Sequence, residues 1–150
     1  LNGLYLNLSG RERHGVVQPG ERASLLREIA EKLLSMRDPA TGERVVLKAY
    51  RADEVYSGPA RHGAPDLVIG YQWGYRVSWE SVLGKFSEVL LADNTEKWSG
   101  DHATADLVPG VLLASKKIAS PRPSLYYLAP TVLSEFAVSK GSGMVGSSLF

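Results

Sequence analysis

The tightest constraint on this fold is one short apolar run set among breakers, Ala64-Pro65-Asp66-Leu67-Val68-Ile69-Gly70. Pro65 and Gly70 keep it from growing into a helix. A continuous apolar run of this length suits a strand covered on both faces, as in a parallel sheet. Such a strand needs neighbours, and the flanking sequence offers them. Leu4, Leu6 and Leu8 alternate with Tyr5, Asn7 and Ser9, which predicts a short strand ending at Gly10. Residues 45–50 read as a second strand, and Val111-Leu112-Leu113-Ala114 as a further short buried one. Between the first two strands, Pro19-Gly20-Glu21 opens the strongest helix. Leu26, Ile29, Ala30, Leu33 and either Met36 or Arg37 fall on one stripe. Glu21 is expected in its first turn, where a carboxylate favours the helix dipole. Asp38-Pro39 and Thr41-Gly42 end it. Residues 53–56 predict one helical turn, and Pro130-Thr131 opens a last helix running through Phe136. Strands alternate with helices, so the expected class is α/β.

Charge and composition narrow the function classes. There are 17 basic and 16 acidic residues, a net charge of +1, which gives no electrostatic drive toward a nucleic-acid polymer or an anionic membrane. No stretch approaches the ~18 consecutive apolar residues of a membrane span. Residues 1–9 do not have the pattern of a signal peptide. Cysteine is absent, which excludes a disulfide framework, thiolate metal sites and a cysteine nucleophile, and leaves the compartment open. Leu1 falls in what reads as mid-strand, so a fragment or a processed product is expected. Residues 139–150 read as a flexible glycine- and serine-rich tail.

The chemistry-bearing residues are sparse. None of the three histidines, His14, His62 and His102, has another at metal-ligand spacing. The zinc-protease, P-loop, dinucleotide and nucleophile-elbow motifs are all missing. The informative stretch is Trp98-Ser99-Gly100-Asp101-His102, followed by Val108-Pro109-Gly110-Val111-Leu112. A histidine among small residues, on a loop leading into a buried strand, is placed to present its imidazole at a sheet edge, where ligands of α/β sheets gather. The plainer alternative is a solvated or locally bonded histidine. Residues 71–98, with Trp73, Tyr75, Trp79, Phe86 and Trp98, read mostly as loop; the aromatic stretch 72–98 is either the lining of a substrate pocket or a packed surface excursion, and the second is favoured because buried aromatics are chiefly core material. Tyr75 and Arg76 are candidates for substrate contact, Arg76 suiting a phosphate oxygen. Arg11-Glu12-Arg13 and residues 51–54 read as solvated turns.

Ser99-Gly100-Asp101-His102 with Pro109-Gly110-Val111-Leu112 resembles the late metal-ligand motif of the alkaline phosphatase superfamily. The nearer likeness is to its type I phosphodiesterase and nucleotide pyrophosphatase branch. Further resemblances follow in chain order: Leu4-Tyr5-Leu6-Asn7-Leu8-Ser9-Gly10-Arg11-Glu12, then Arg37-Asp38-Pro39-Ala40-Thr41-Gly42-Glu43, the Pro65-Asp66-Leu67 strand, Ala129-Pro130-Thr131-Val132-Leu133, and Gly143-Met144-Val145-Gly146-Ser147-Ser148-Leu149. One departure is Tyr127, where such chains commonly carry Asp; the position bears on packing rather than chemistry.

The resemblance implies a partial alkaline-phosphatase-like sheet flanked by helices. It implies that residues 1–150 are the C-terminal part of a metal-dependent phosphohydrolase domain acting on a phosphate-ester or nucleotide substrate. Enzymes of this kind hold a pair of divalent metals, usually zinc, and a Thr or Ser nucleophile that forms a covalent phospho-enzyme. Of that apparatus only His102 carries over, as a metal ligand. Asp101 is read as supporting or solvated. The nucleophile, the early Asp, the Asp-x-x-x-His pair and the Asp-His pair have no counterpart in these residues. One imidazole cannot hold zinc, so the chain alone is expected to be inactive and to bind no metal tightly. Its apolar faces are expected to be exposed or covered by a protein partner. The alternative is a non-catalytic interaction or remnant module of the same fold.

Overall fold

The computed structural model describes residues 2–85, 87–98 and 109–150. The chain divides into two units, Leu1–Val108 and Pro109–Phe150.

The first unit is mixed α/β. Strand β1 (Gly3–Leu4) is followed by helix α1 (Arg22–Ser35), strand β2 (Val46–Arg51), a single turn α2 (Ala52–Val55), a 3-10 turn (Pro59–Gly63), strand β3 (Leu67–Tyr71) and a second 3-10 turn (Trp79–Leu83). The three strands form one sheet in the order β1-β3-β2. Both neighbours run antiparallel to β3, with Leu4 opposite Leu67 and Ala49 opposite Ile69. The apolar run is thus the central strand, but the parallel sheet expected of it is corrected. The physical reason is topological: β1, α1 and β2 form a crossover, and β3 returns between its two strands.

Helix α1 covers one face of this sheet. It is rich in Leu, Ala, Arg and Glu and holds no Gly or Pro, so its composition favours helix throughout. Leu26 packs with Leu6 and Leu67, and Leu33 and Met36 pack with Val45, Val46 and Ile69. Leu67, Ile69 and Tyr71, two apart on β3, all meet these clusters, as strand periodicity requires. The structure therefore selects Met36 for the stripe, while Arg37 is exposed. Glu21 is the N-cap rather than a first-turn residue, and its carboxylate accepts from the Gln18 N–H at 3.0 Å.

The strand expected to end at Gly10 shrinks to Gly3–Leu4. Leu6 N–H leaves the ladder to donate to the Asp66 carboxylate at 2.8 Å, and Leu8 makes only an isolated bridge to Val17. Gly15 lies so close beneath Leu8 that an added Cβ would sit 2.1 Å from the Leu8 carbonyl oxygen.

The second unit is built on α3 (Leu128–Glu135), entered through a 3-10 turn (Leu125–Tyr127). Pro130 is the third helical residue, still within the turn whose N–H groups lack intrahelical partners. The strand expected at 111–114 does not form: no described residue of this unit lies in a strand, and Val111 and Leu113 are 85% and 91% exposed. The run has apolar residues but no pairing strand within its unit. The glycine- and serine-rich segment ends in an anchor. Leu149 is buried, its N–H donates to Thr131 Oγ1 at 3.0 Å, and its carbonyl accepts from Ala119 N–H at 2.8 Å. Lys116 pairs with Glu135 and lies over the Phe150 ring.

Candidate functional site

His102 and Asp101 lie outside the described residues. The approach to them is described as far as Trp98. Asn94 closes a tight turn there: its Oδ1 accepts from Glu96 N–H at 3.2 Å and its Nδ2 donates to the Trp98 carbonyl at 3.1 Å. Lys97 stands 5.0 Å from the Trp98 ring centroid, a cation–π contact on an exposed surface.

Among the described residues neither of the other two histidines belongs to a group that could hold a metal. The His62 ring Nδ1 is 2.9 Å from the Pro59 carbonyl, inside its own 3-10 turn. The His14 carbonyl accepts from Asn7 Nδ2. Among the described residues no group of three or more His, Cys, Asp or Glu could hold a metal ion. The described residues therefore do not by themselves fit a zinc site, and no metal-dependent step is derived from them.

Tyr75 and Arg76, proposed from sequence for substrate contact, sit just past the end of β3. Gln72 to Tyr75 is a turn closed by Tyr75 N–H on the Gln72 carbonyl at 3.1 Å, with Gly74 at φ +84°. That conformation favours glycine over any L side chain. Tyr75 is committed elsewhere. Its hydroxyl donates to Asp38 Oδ2 at 2.8 Å, and its ring joins the cluster of Val45, Val46 and Ile69. Asp38 is held below the ordinary carboxylate range, first by the Ala40 N–H and then by the Tyr75 hydroxyl. The pair ties the loop after β3 to the turn between α1 and β2. Arg76 is half-buried. Trp73, Trp79 and Trp98 are exposed, so at these positions the packed surface excursion expected of the segment is corrected: the indoles stand mostly in solvent.

The densest charged cluster is one the sequence reading missed. Asp66 is 1% exposed. Its oxygens accept from Arg11 Nη1 at 3.1 Å and Nη2 at 2.7 Å, from Arg22 Nε at 3.0 Å and Nη2 at 2.7 Å, and from Leu6 N–H at 2.8 Å. Burial is the largest single influence and pushes the carboxyl up. The Arg11, Leu6 and Arg22 hydrogen bonds together outweigh it and bring the pKa down to about 2. Arg11, read from sequence as solvated, instead locks residues 6–12 to the head of β3, and Arg22 adds the start of α1. With every acceptor position taken by five donors, Asp66 has no lone pair left for a metal or a proton-transfer partner. Its role is to hold the fold.

No protein-family model, curated protein or solved structure matches this chain.

Proposed function

We propose that these residues are the late portion of a metal-dependent phosphodiesterase or nucleotide pyrophosphatase hydrolysing phosphate esters. His102 serves as one ligand of a divalent metal pair, probed most simply with zinc. The observation that carries the reading is the order of the resemblances. The Pro65-Asp66-Leu67 run is followed by Trp98-Ser99-Gly100-Asp101-His102, then Pro109-Gly110-Val111-Leu112, then Ala129-Pro130-Thr131 and the Gly146-Ser147-Ser148-Leu149 tail. In keeping with that order, Leu67 opens the central strand and Leu128–Glu135 is a helix. Zinc takes about three or four protein ligands, so the remaining ones belong to polypeptide outside these residues.

Exposed apolar surface supports a covering partner. Leu90, Val111, Leu113 and Leu125 are each more than 80% exposed, and few side chains among the described residues are fully buried. That partner is, on this reading, the polypeptide bearing the other ligands.

The test joins these residues to the polypeptide encoded upstream of Leu1 and follows hydrolysis of bis(p-nitrophenyl) phosphate. The expected result is zinc-dependent turnover that His102→Ala abolishes while the thermal midpoint stays within a few degrees. Turnover indifferent to His102→Ala overturns the proposal and leaves the non-catalytic module.

A further inference from the structure

The turn after α1 brings two cations face to face. Arg37 and Arg44 form an isolated antiparallel bridge, with Asp38 N–H donating to the Glu43 carbonyl at 2.9 Å and Val45 N–H to the Met36 carbonyl at 3.3 Å. Those two bonds bracket Arg37 and Arg44 as a non-hydrogen-bonded pair, the geometry in which opposed side chains stand closest, with Cβ atoms about 4.5–5.5 Å apart. The turn holding them is stiff. Gly42 N–H donates to the Asp38 carbonyl at 2.7 Å, Gly42 has φ +74°, and Glu43 N–H donates to Thr41 Oγ1 at 3.2 Å.

Like charges directly opposite each other destabilise a strand pair, so the arrangement calls for an anion. The described residues do not supply one. Both arginines are exposed, and among the described residues neither is in an ion pair. The adjacent carboxylates are turned the other way. Asp38 accepts from the Tyr75 hydroxyl at 2.8 Å, and Asp38 and Glu43, each one position along from the Arg37–Arg44 pair, fall on the opposite face of the ribbon by strand alternation.

We propose that Arg37 and Arg44 form a two-guanidinium clamp for a phosphate group. Guanidinium forks match tetrahedral oxyanions with paired N–H···O bonds, and two forks on one short ribbon can share one phosphate. The site needs no metal and stands apart from the hydrolase reading.

The experiment follows the arginine Nε–H resonances of the whole chain by NMR. It titrates inorganic phosphate, phenyl phosphate and sodium chloride at matched ionic strength and pH 7.5. The expected result is saturable shifts of Arg37 and Arg44 with phosphate and not with chloride, and an affinity about tenfold weaker in Arg44→Ala. Binding of inorganic phosphate alone identifies the free ion as ligand, and binding of phenyl phosphate as well extends the class to phosphomonoesters; either upholds the clamp. Arg44→Glu supplies a second readout. It turns repulsion into an ion pair, so it should raise the melting temperature in chloride buffer and abolish phosphate stabilisation. Equal shifts with chloride, no saturation, or unchanged affinity in Arg44→Ala overturns the proposal.

Discussion

Arg11 grips the buried Asp66 carboxylate with two bonds, Nη1 to Oδ1 at 3.1 Å and Nη2 to Oδ2 at 2.7 Å, and in doing so joins two segments 55 residues apart. A third bond from the same guanidinium, Nη2 to the Leu6 carbonyl at 2.8 Å, closes the ring. Removing the carboxylate charge leaves Arg11 and Arg22 facing each other with no negative charge between them. Asp66→Asn should therefore cost about 3 kcal/mol, the low end for breaking a buried pair because both arginines are partly solvated. Arg22→Met should cost about 1 kcal/mol, since Arg11 and Leu6 N–H still hold the carboxylate. Urea unfolding of the three proteins checks both values.

The same residue sets an acid limit. The Asp66 carboxyl drops from an ordinary 3.8 to about 2 on folding. A depressed carboxyl contributes stability that is fully present above its unfolded pKa and is lost as pH falls through the folded one. The loss should run from about pH 4.5 down to about pH 2 and amount to about 2 kcal/mol. Unfolding free energies measured across that window should show the fall in the native chain and its absence in Asp66→Asn.

In the second unit, Gly146 has φ +89°, and an added Cβ would lie 2.6 Å from the Tyr126 carbonyl oxygen. Gly146→Ala combines backbone strain with a clash against backbone, and should cost about 1–3 kcal/mol. Leu149→Ala empties a site whose side chain is 1% exposed and should cost about 2–3 kcal/mol. Both should speed amide exchange at Ala119 and Leu149 more than anywhere in β3.

Ala137, just past the end of α3, is the non-glycine residue with positive φ among those described, at +54°. Glycine carries no penalty there, so Ala137→Gly should stabilise the helix end by about 1 kcal/mol. A rise in the melting temperature checks the sign.

How much was legible follows from what each signal encodes. The stripe on α1 and the run at 64–70 are local patterns, and both elements appear nearly where the spacing puts them. Strand direction is not local: nothing within Leu67-Val68-Ile69 says whether its neighbours run with it or against it. The Asp66 cluster was hidden for the same reason, because Arg11 and Arg22 look like ordinary surface arginines until the chain brings them to one carboxylate. Val111-Leu112-Leu113-Ala114 shows the converse error, an apolar run with no strand to pair with. His102 was singled out by its neighbours Ser99-Gly100-Asp101, and all four lie outside the described residues.

Native mass spectrometry of the protein isolated from its own source tests the central claim most directly. The account predicts a polypeptide heavier than the 16.3 kDa of these residues, carrying two zinc ions, with at least one lost in His102→Ala. A species of 16.3 kDa without zinc, or metal content unchanged by His102→Ala, would contradict it.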